Sequence, residues 1–298
     1  MIWGTIIAAY LFLAGLSAGA YLTSSYVARK YPEAKAVRIT GRIISPVLMA
    51  IGLLLLILDA EAGLKHPLRF IYLFTNFNSV MTIGTYFISF FMLAAAYTAL
   101  MEILKKETNK YVEYAGMLFA VATAIYTGFL IGVVAAVPIW NTAILPILFV
   151  VSAMSTGIAG TMLVASFYDS KAVHRMLGVK KIHLGLLSAE VFLIFTMFLV
   201  TSYSNESAAE SVATLVSGEY STIFWIGLIL VGLVLPIAVE SFELYNDKKM
   251  KETEAGIMMA AAGQGGIAGT LVTESSVLVG GFILRFLLLA AAVPVPFL

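Results

Sequence analysis

Cysteine is absent from the 298 residues, which removes disulfides, thiol nucleophiles and thiolate-held iron–sulfur or zinc centres from the chemistry of this chain. Histidine is nearly absent, with His66, His174 and His183 the whole supply. A bis-histidine haem inside a bilayer needs histidine pairs in mid-helix, and none of these positions lies in the middle of an apolar run. Charge is scarce as well: 12% of residues are charged, where a soluble protein has roughly 25%. The net charge of +1 and the lack of a basic patch give no footprint for nucleic acid. If the chain handles electrons, the metal centres are expected in a partner, with no metal or haem held here.

What is present is apolar surface. The chain is 61% hydrophobic with a mean hydropathy of +0.97, and uncharged runs of about 20 residues, enough to cross a bilayer as helix, recur along it. An all-α polytopic membrane protein is expected, forming one integral domain over 1–298. Its eight transmembrane helices are placed at about 3–27, 40–60, 79–103, 112–136, 142–167, 181–203, 221–245 and 273–293. An outer-membrane barrel is excluded, because the runs lack alternation and are twice too long for strands. The opening "MIWGTIIAAYLFLAGLSAGAY" has no basic leader and reads as a retained first span. Residues 254–272, "EAGIMMAAAGQGGIAGTLV", are apolar but glycine-rich, and read as loop, re-entrant piece or early start of span eight.

The loops orient the bundle. Of the 18 basic residues, all but Lys65, Arg69 and Arg285 fall in or beside the loops that follow odd-numbered spans. The positive-inside rule then puts those loops in the cytoplasm and both termini outside. The stretch "LDAEAGLKHPLRF", with Asp59, Glu61, Lys65, His66 and Arg69, lies on the outer face in this reading. Gly15 and Gly19, and Gly128 and Gly132, have the spacing of close helix–helix contact, and a groove walled by glycine, Gly15 included, also suits a flat ligand. Trp3 and Trp140 read as interfacial anchors, and His174 and His183 as surface groups at the cytoplasmic edge.

Ionisable groups within spans are costly and are each a candidate site. Tyr10 lies about 10 Å below the outer end of its span and Tyr126 about 18 Å, at 1.5 Å per residue. Asp59 and Glu61, two residues apart, point about 200° apart on a helix, so one at most enters a given pocket. The alternative for both is solvation, or pairing with Lys65 or Arg69. Arg285 also falls in the outer half, whereas Glu102, Glu190, Glu240 and Glu274 lie in the inner half or near mid-membrane. Glu190 and Arg285 read either as a buried pair that fixes packing or, with Glu102 and Glu240, as members of a proton path.

Several segments, in order, resemble the NrfD/PsrC-type membrane subunits that include the polysulfide reductase membrane subunit. They are "WGTIIAAYLFLAGLSAGAYL", "LDAEAGLKHPLRF", "NSVMTIGTYF", "YTGFLIGVVAAVPIWNTAILPILFVVSAMSTGIA", "VGLVLPIAVE" and "GGFILRF". The resemblance implies eight membrane helices without a metal centre. It also implies electron exchange between a quinone, menaquinone by expectation, and a ferredoxin-like iron–sulfur subunit that serves a molybdopterin catalytic subunit. Residue by residue it assigns the quinone-contacting tyrosine to Tyr126 and the outer-loop carboxylate to Glu61, with Asp59 and His66 as helpers. Tyr10, in the stretch leading to Gly15, stands where the polysulfide reductase pattern has a histidine. Lys65 and Arg69 become contacts for the partner. The competing readings are a proton-coupled secondary transporter working through Glu190, Glu240 and Arg285, and a passive anchor for a redox complex.

Overall fold

The computed structural model describes residues 4–59, 71–251 and 267–295. Glu61, Lys65, His66, Arg69, Trp3 and residues 252–266 therefore lie outside the described residues. Eight helices are long and apolar enough to cross a membrane, matching the expected number. In chain order the elements are α1 (Thr5–Lys30), α2 (Lys35–Asp59), the single turn α3 (Tyr72–Thr75), α4 (Val80–Ile103), α5 (Lys110–Gly132), α6 (Ile144–Arg175) and α7 (Leu177–Ser202). They are followed by α8 (Glu206–Val216), a π-helical stretch Ile223–Val234 that runs directly into α9 (Leu235–Lys251), and α10 (Ile267–Ala290).

The boundaries follow local chemistry. A helix start leaves backbone N–H groups without partners, and Ser, Asn or Asp side chains supply acceptors there. Ser79 Oγ accepts from Met81 N–H at 3.2 Å, Asn109 Oδ1 from Tyr111 N–H at 2.9 Å, and Asn205 Oδ1 from Ala208 N–H at 2.9 Å. The helix α6 breaks at Asp169 (φ −150°, ψ 79°), whose carboxylate then accepts from Ala172 N–H at 2.9 Å. The 204–220 connection holds the short helix α8 rather than loop alone, and α10 begins at Ile267, six residues ahead of 273, which fits the early start of span eight for the last part of the 254–272 stretch.

The bundle is greasy outside and keeps its polar groups inside, among an apolar core. Leu54, Leu93, Leu118, Phe192 and Phe195 face outward, whereas Ser17, Thr127, Ser152, Glu190 and Arg285 are buried. That inversion suits hydrocarbon surroundings, where only satisfied polar groups can be kept, and only between helices. The central pair is α1 and α6. One side of it packs α2, α4 and α5, the other α7, the π-helical stretch and α10.

Small residues allow the centre. A Cβ on Gly19 would overlap the Ala153 carbonyl oxygen, and one on Gly157 would overlap the Gly19 backbone, so α1 and α6 meet main chain to main chain. Gly128 approaches Pro146 on α6 in the same way. Gly15, expected to play the same part, faces both Ala153 and the Arg285 guanidinium.

One end of the bundle gathers the first and last described residues. Gly4 lies beside the Asp59 carboxylate, Val295 N–H donates to Ala136 O at 2.8 Å, and Val293 N–H to Ser211 Oγ at 3.1 Å. Here Trp140 departs from its expected role as an exposed anchor. It is fully buried, and its indole N–H donates to Leu288 O at 2.7 Å. Leu288 is in the last turn of α10, where carbonyls lack helical partners, so the indole caps that helix from the α5–α6 joint. Trp140→Phe keeps most of the packing but orphans the carbonyl. A loss of about 1–3 kcal/mol is expected, read as a lower unfolding midpoint in detergent.

Candidate functional site

At the end that gathers the termini, α1, α2, α4 and α5 bring two phenols together. Tyr10, two turns into α1, is fully buried, and its ring lies against Gly52 of α2. Tyr126, on α5, is an electrostatic neighbour of Tyr10. Its ring occupies the space over Gly84 of α4 so tightly that a Cβ there would overlap the ring carbons. The glycine in "TIGTY" therefore seats the tyrosine of "YTG". Both tyrosines belong to one apolar core that includes Met49, Ile88 and Leu130. Among the described residues the Tyr10 hydroxyl has no hydrogen-bond partner. A buried O–H without an acceptor is costly and uncommon. Asp59, at the end of α2, sits nearer the rim beside Gly4.

A second polar group crosses the middle of the bundle. The Arg285 guanidinium on α10 is buried, and donates through Nη1 to Ser152 Oγ at 3.0 Å and to Gly281 O at 2.6 Å. It lies 5.3 Å from the Phe149 ring centroid and 5.8 Å from that of Phe12, within cation–π range. Glu190 on α7 accepts from Ser155 Oγ at 3.1 Å and is an electrostatic neighbour of Arg285. The sequence paired Glu190 with Arg285, and the structure joins them through serines of α6.

Glu102 is elsewhere. Its two carboxylate oxygens take Arg38 Nη2 at 2.8 Å and Arg42 Nη1 at 2.7 Å, near the end of α4 opposite the termini. Arg42 also meets Glu113 at 3.4 Å and Arg29 meets it at 3.6 Å, so α1, α2, α4 and α5 are tied by one ion-pair cluster. Glu102 is thus held by arginines of α2, while Glu190 meets Ser155 of α6 and Glu240 meets His183 of α7.

Comparison with known proteins gives the geometry a context. A family model described as "Polysulphide reductase, NrfD" matches residues 1–296. The chain belongs to the NrfD family. It is 32% identical to a polysulfide reductase chain of Wolinella succinogenes over 80% of this chain and 83% of that one. It is 25% identical to the NrfD protein of Escherichia coli over 98% of this chain and 95% of that one. With a selenate reductase subunit of Mesobacillus selenatarsenatis it shares 26% identity over 79% of this chain and 65% of the relative. With eight apolar helices, this NrfD chain is a multi-pass membrane protein.

Within this NrfD chain the sequence misplaced a buried histidine. His183, read as a surface residue, is buried on α7, and its Nδ1 lies 2.6 Å from Glu240 Oε1 on α9 and 3.9 Å from Glu274 Oε2 on α10. A signal for it existed. His183 and Glu190 are seven residues apart, two helical turns, and so share the inward face of α7. Ser152 and Ser155 left no comparable mark, because serines in membrane helices are common and mostly satisfy their own backbone.

Proposed function

We propose that this chain is the quinone-reactive membrane subunit of a multi-subunit oxidoreductase. In this reading it exchanges electrons between the membrane quinone pool and an iron–sulfur partner that serves a molybdopterin catalytic subunit. The single observation that carries it is the buried, unpartnered Tyr10 hydroxyl beside Tyr126 in an apolar core. Family membership and the names of the reductase relatives agree with it.

A quinone supplies the two-electron, two-proton couple, and its headgroup has two carbonyl oxygens that need donors. Tyr10 and Tyr126 are the donors, held at fixed positions by Gly52 and by the Gly84 seat. The surrounding hydrocarbon excludes water, which strengthens each hydrogen bond and suits an isoprenoid tail. Asp59 at the rim, with Glu61 and His66 beyond it in sequence, passes protons between the headgroup and the aqueous phase. Glu61 is the carboxylate assigned direct contact. Lys65 and Arg69 face the partner, whose terminal cluster docks over the adjoining ends of α1, α2 and α5. In the cytoplasmic membrane this end is outside, since the opposite end holds nearly all lysines and arginines. Glu190 and Arg285 form a separate proton-holding element at mid-bundle. Glu102 is assigned to the inner ion-pair cluster.

Mild detergent extraction discriminates the competing readings. The oxidoreductase subunit is expected to co-purify with an iron–sulfur protein and with quinone in organic extracts. Isolation free of both would support a transporter and remove this proposal.

A further inference from the structure

The expectation of a metal-free chain rested on missing cysteine, on scarce histidine and on the family resemblance, and a single histidine joined by carboxylates escapes the first two arguments. His183, Glu240 and Glu274 come from three different helices, are all buried, and present one donor atom each within 4.8 Å of one another. The same histidine nitrogen, Nδ1, faces both carboxylates, at 2.6 Å and 3.9 Å. Donors each about 2.0–2.2 Å from a tetrahedral zinc ion stand about 3.3–3.6 Å apart; the 3.9 Å separation is close to that value, while the 2.6 Å one is a hydrogen bond that a bound ion would replace. Glu274 Oε2 is buried, points into the group, and has no hydrogen-bond partner among the described residues; Glu240 Oε2 is likewise unpartnered.

The surroundings are rich in carboxylates. Glu240 and Glu274 face His183 directly, and Glu190 and Arg285 continue the group one layer deeper. Lys180 reaches Glu243 at 2.6 Å on the side toward the bundle end. One divalent cation at the convergence uses all three donors.

We propose that His183, Glu240 and Glu274 form a buried site for one divalent first-row transition cation, of the zinc or manganese class. One imidazole and two carboxylates suit these ions better than a soft cation, which prefers sulfur, or calcium, which takes more oxygen ligands. The ion ties α7, α9 and α10 together at the point where their donors converge. The rival occupancy is protons alone, with a protonated His183 between the carboxylates.

The test uses the intact complex, stripped with EDTA and reloaded with Mn²⁺. Bound manganese is counted by elemental analysis and by loss of the free-ion electron paramagnetic resonance signal. The unaltered complex is expected to take up one more equivalent than Glu274→Gln, or to bind that equivalent about tenfold more tightly or better. If Glu274→Gln does not accumulate, His183→Gln serves for the same comparison. Glu243→Gln, outside the donor set, is expected to retain the ion. Equal manganese content and affinity in the unaltered complex and the donor-set variants overturns the site, as does an unaltered complex that binds none. Because metal content is counted without turnover, this outcome is separate from the fate of the quinone reading.

Discussion

Tyr126→Phe is expected to lower quinone-linked turnover by about 10²-fold, the cost of removing one aimed hydrogen-bond donor from a water-excluded site. The substitution removes only the hydroxyl. The ring that fills the space over Gly84 stays, so the contact between α4 and α5 is preserved and the complex is expected to assemble at normal yield. Steady-state quinol kinetics on the purified complex read the effect, and the loss should fall mainly on kcat if the bond strengthens as charge develops. Unchanged kinetics in an assembled variant would take Tyr126 out of the site. The same loss accompanied by poor assembly would assign the hydroxyl a structural part.

The phenol pair shows how far sequence reading reaches. The depth of Tyr10 and Tyr126 follows from counting residues along a helix, and uncharged runs fix that count well. Their proximity does not follow, because it depends on how α1, α4 and α5 rotate about their axes. That rotation is set by Gly52 and Gly84, which leave no signature of their own in a chain with 24 glycines. Arg285 and Glu190 were legible as misfits, charged groups in hydrocarbon, yet the serines between them were not. His183 failed for the opposite reason. Six residues from the start of its helix, it had an ordinary interfacial explanation, and only the tertiary meeting with Glu240 and Glu274 shows it to be buried.

Gly19→Leu has the second large effect and acts on the fold. The Cβ alone would penetrate the Ala153 carbonyl and lie 2.9 Å from the Gly157 Cα. These are backbone atoms of α6, so no rotamer change relieves them, and the central helix pair must separate. Overpacking in a soluble core typically costs about 1–3 kcal/mol. Here the clash is with main chain at the axis on which both halves of the bundle pack, so failure to accumulate folded protein is the expected result. Membrane-fraction yield and detergent size-exclusion profiles measure it. Gly185→Leu is the control, since no atom lies within 4 Å of a Cβ placed there; it is expected to express normally. Wild-type yield from Gly19→Leu would mean that α1 and α6 do not meet as described. The spacing of Gly15 and Gly19 announced a helix contact, while the identity of the facing helix came only from the structure.

The central claim is that Tyr10 and Tyr126 line the quinone site, and photolabelling tests it most directly. A photoreactive azidoquinone is illuminated on the intact complex with and without excess menaquinone, and the modified peptides are mapped by mass spectrometry. The account predicts label on the segments of α1 and α5 that contain Tyr10 and Tyr126, suppressed by the competitor. Competed label confined to α7, α9 or α10, with none on α1 or α5, would contradict it.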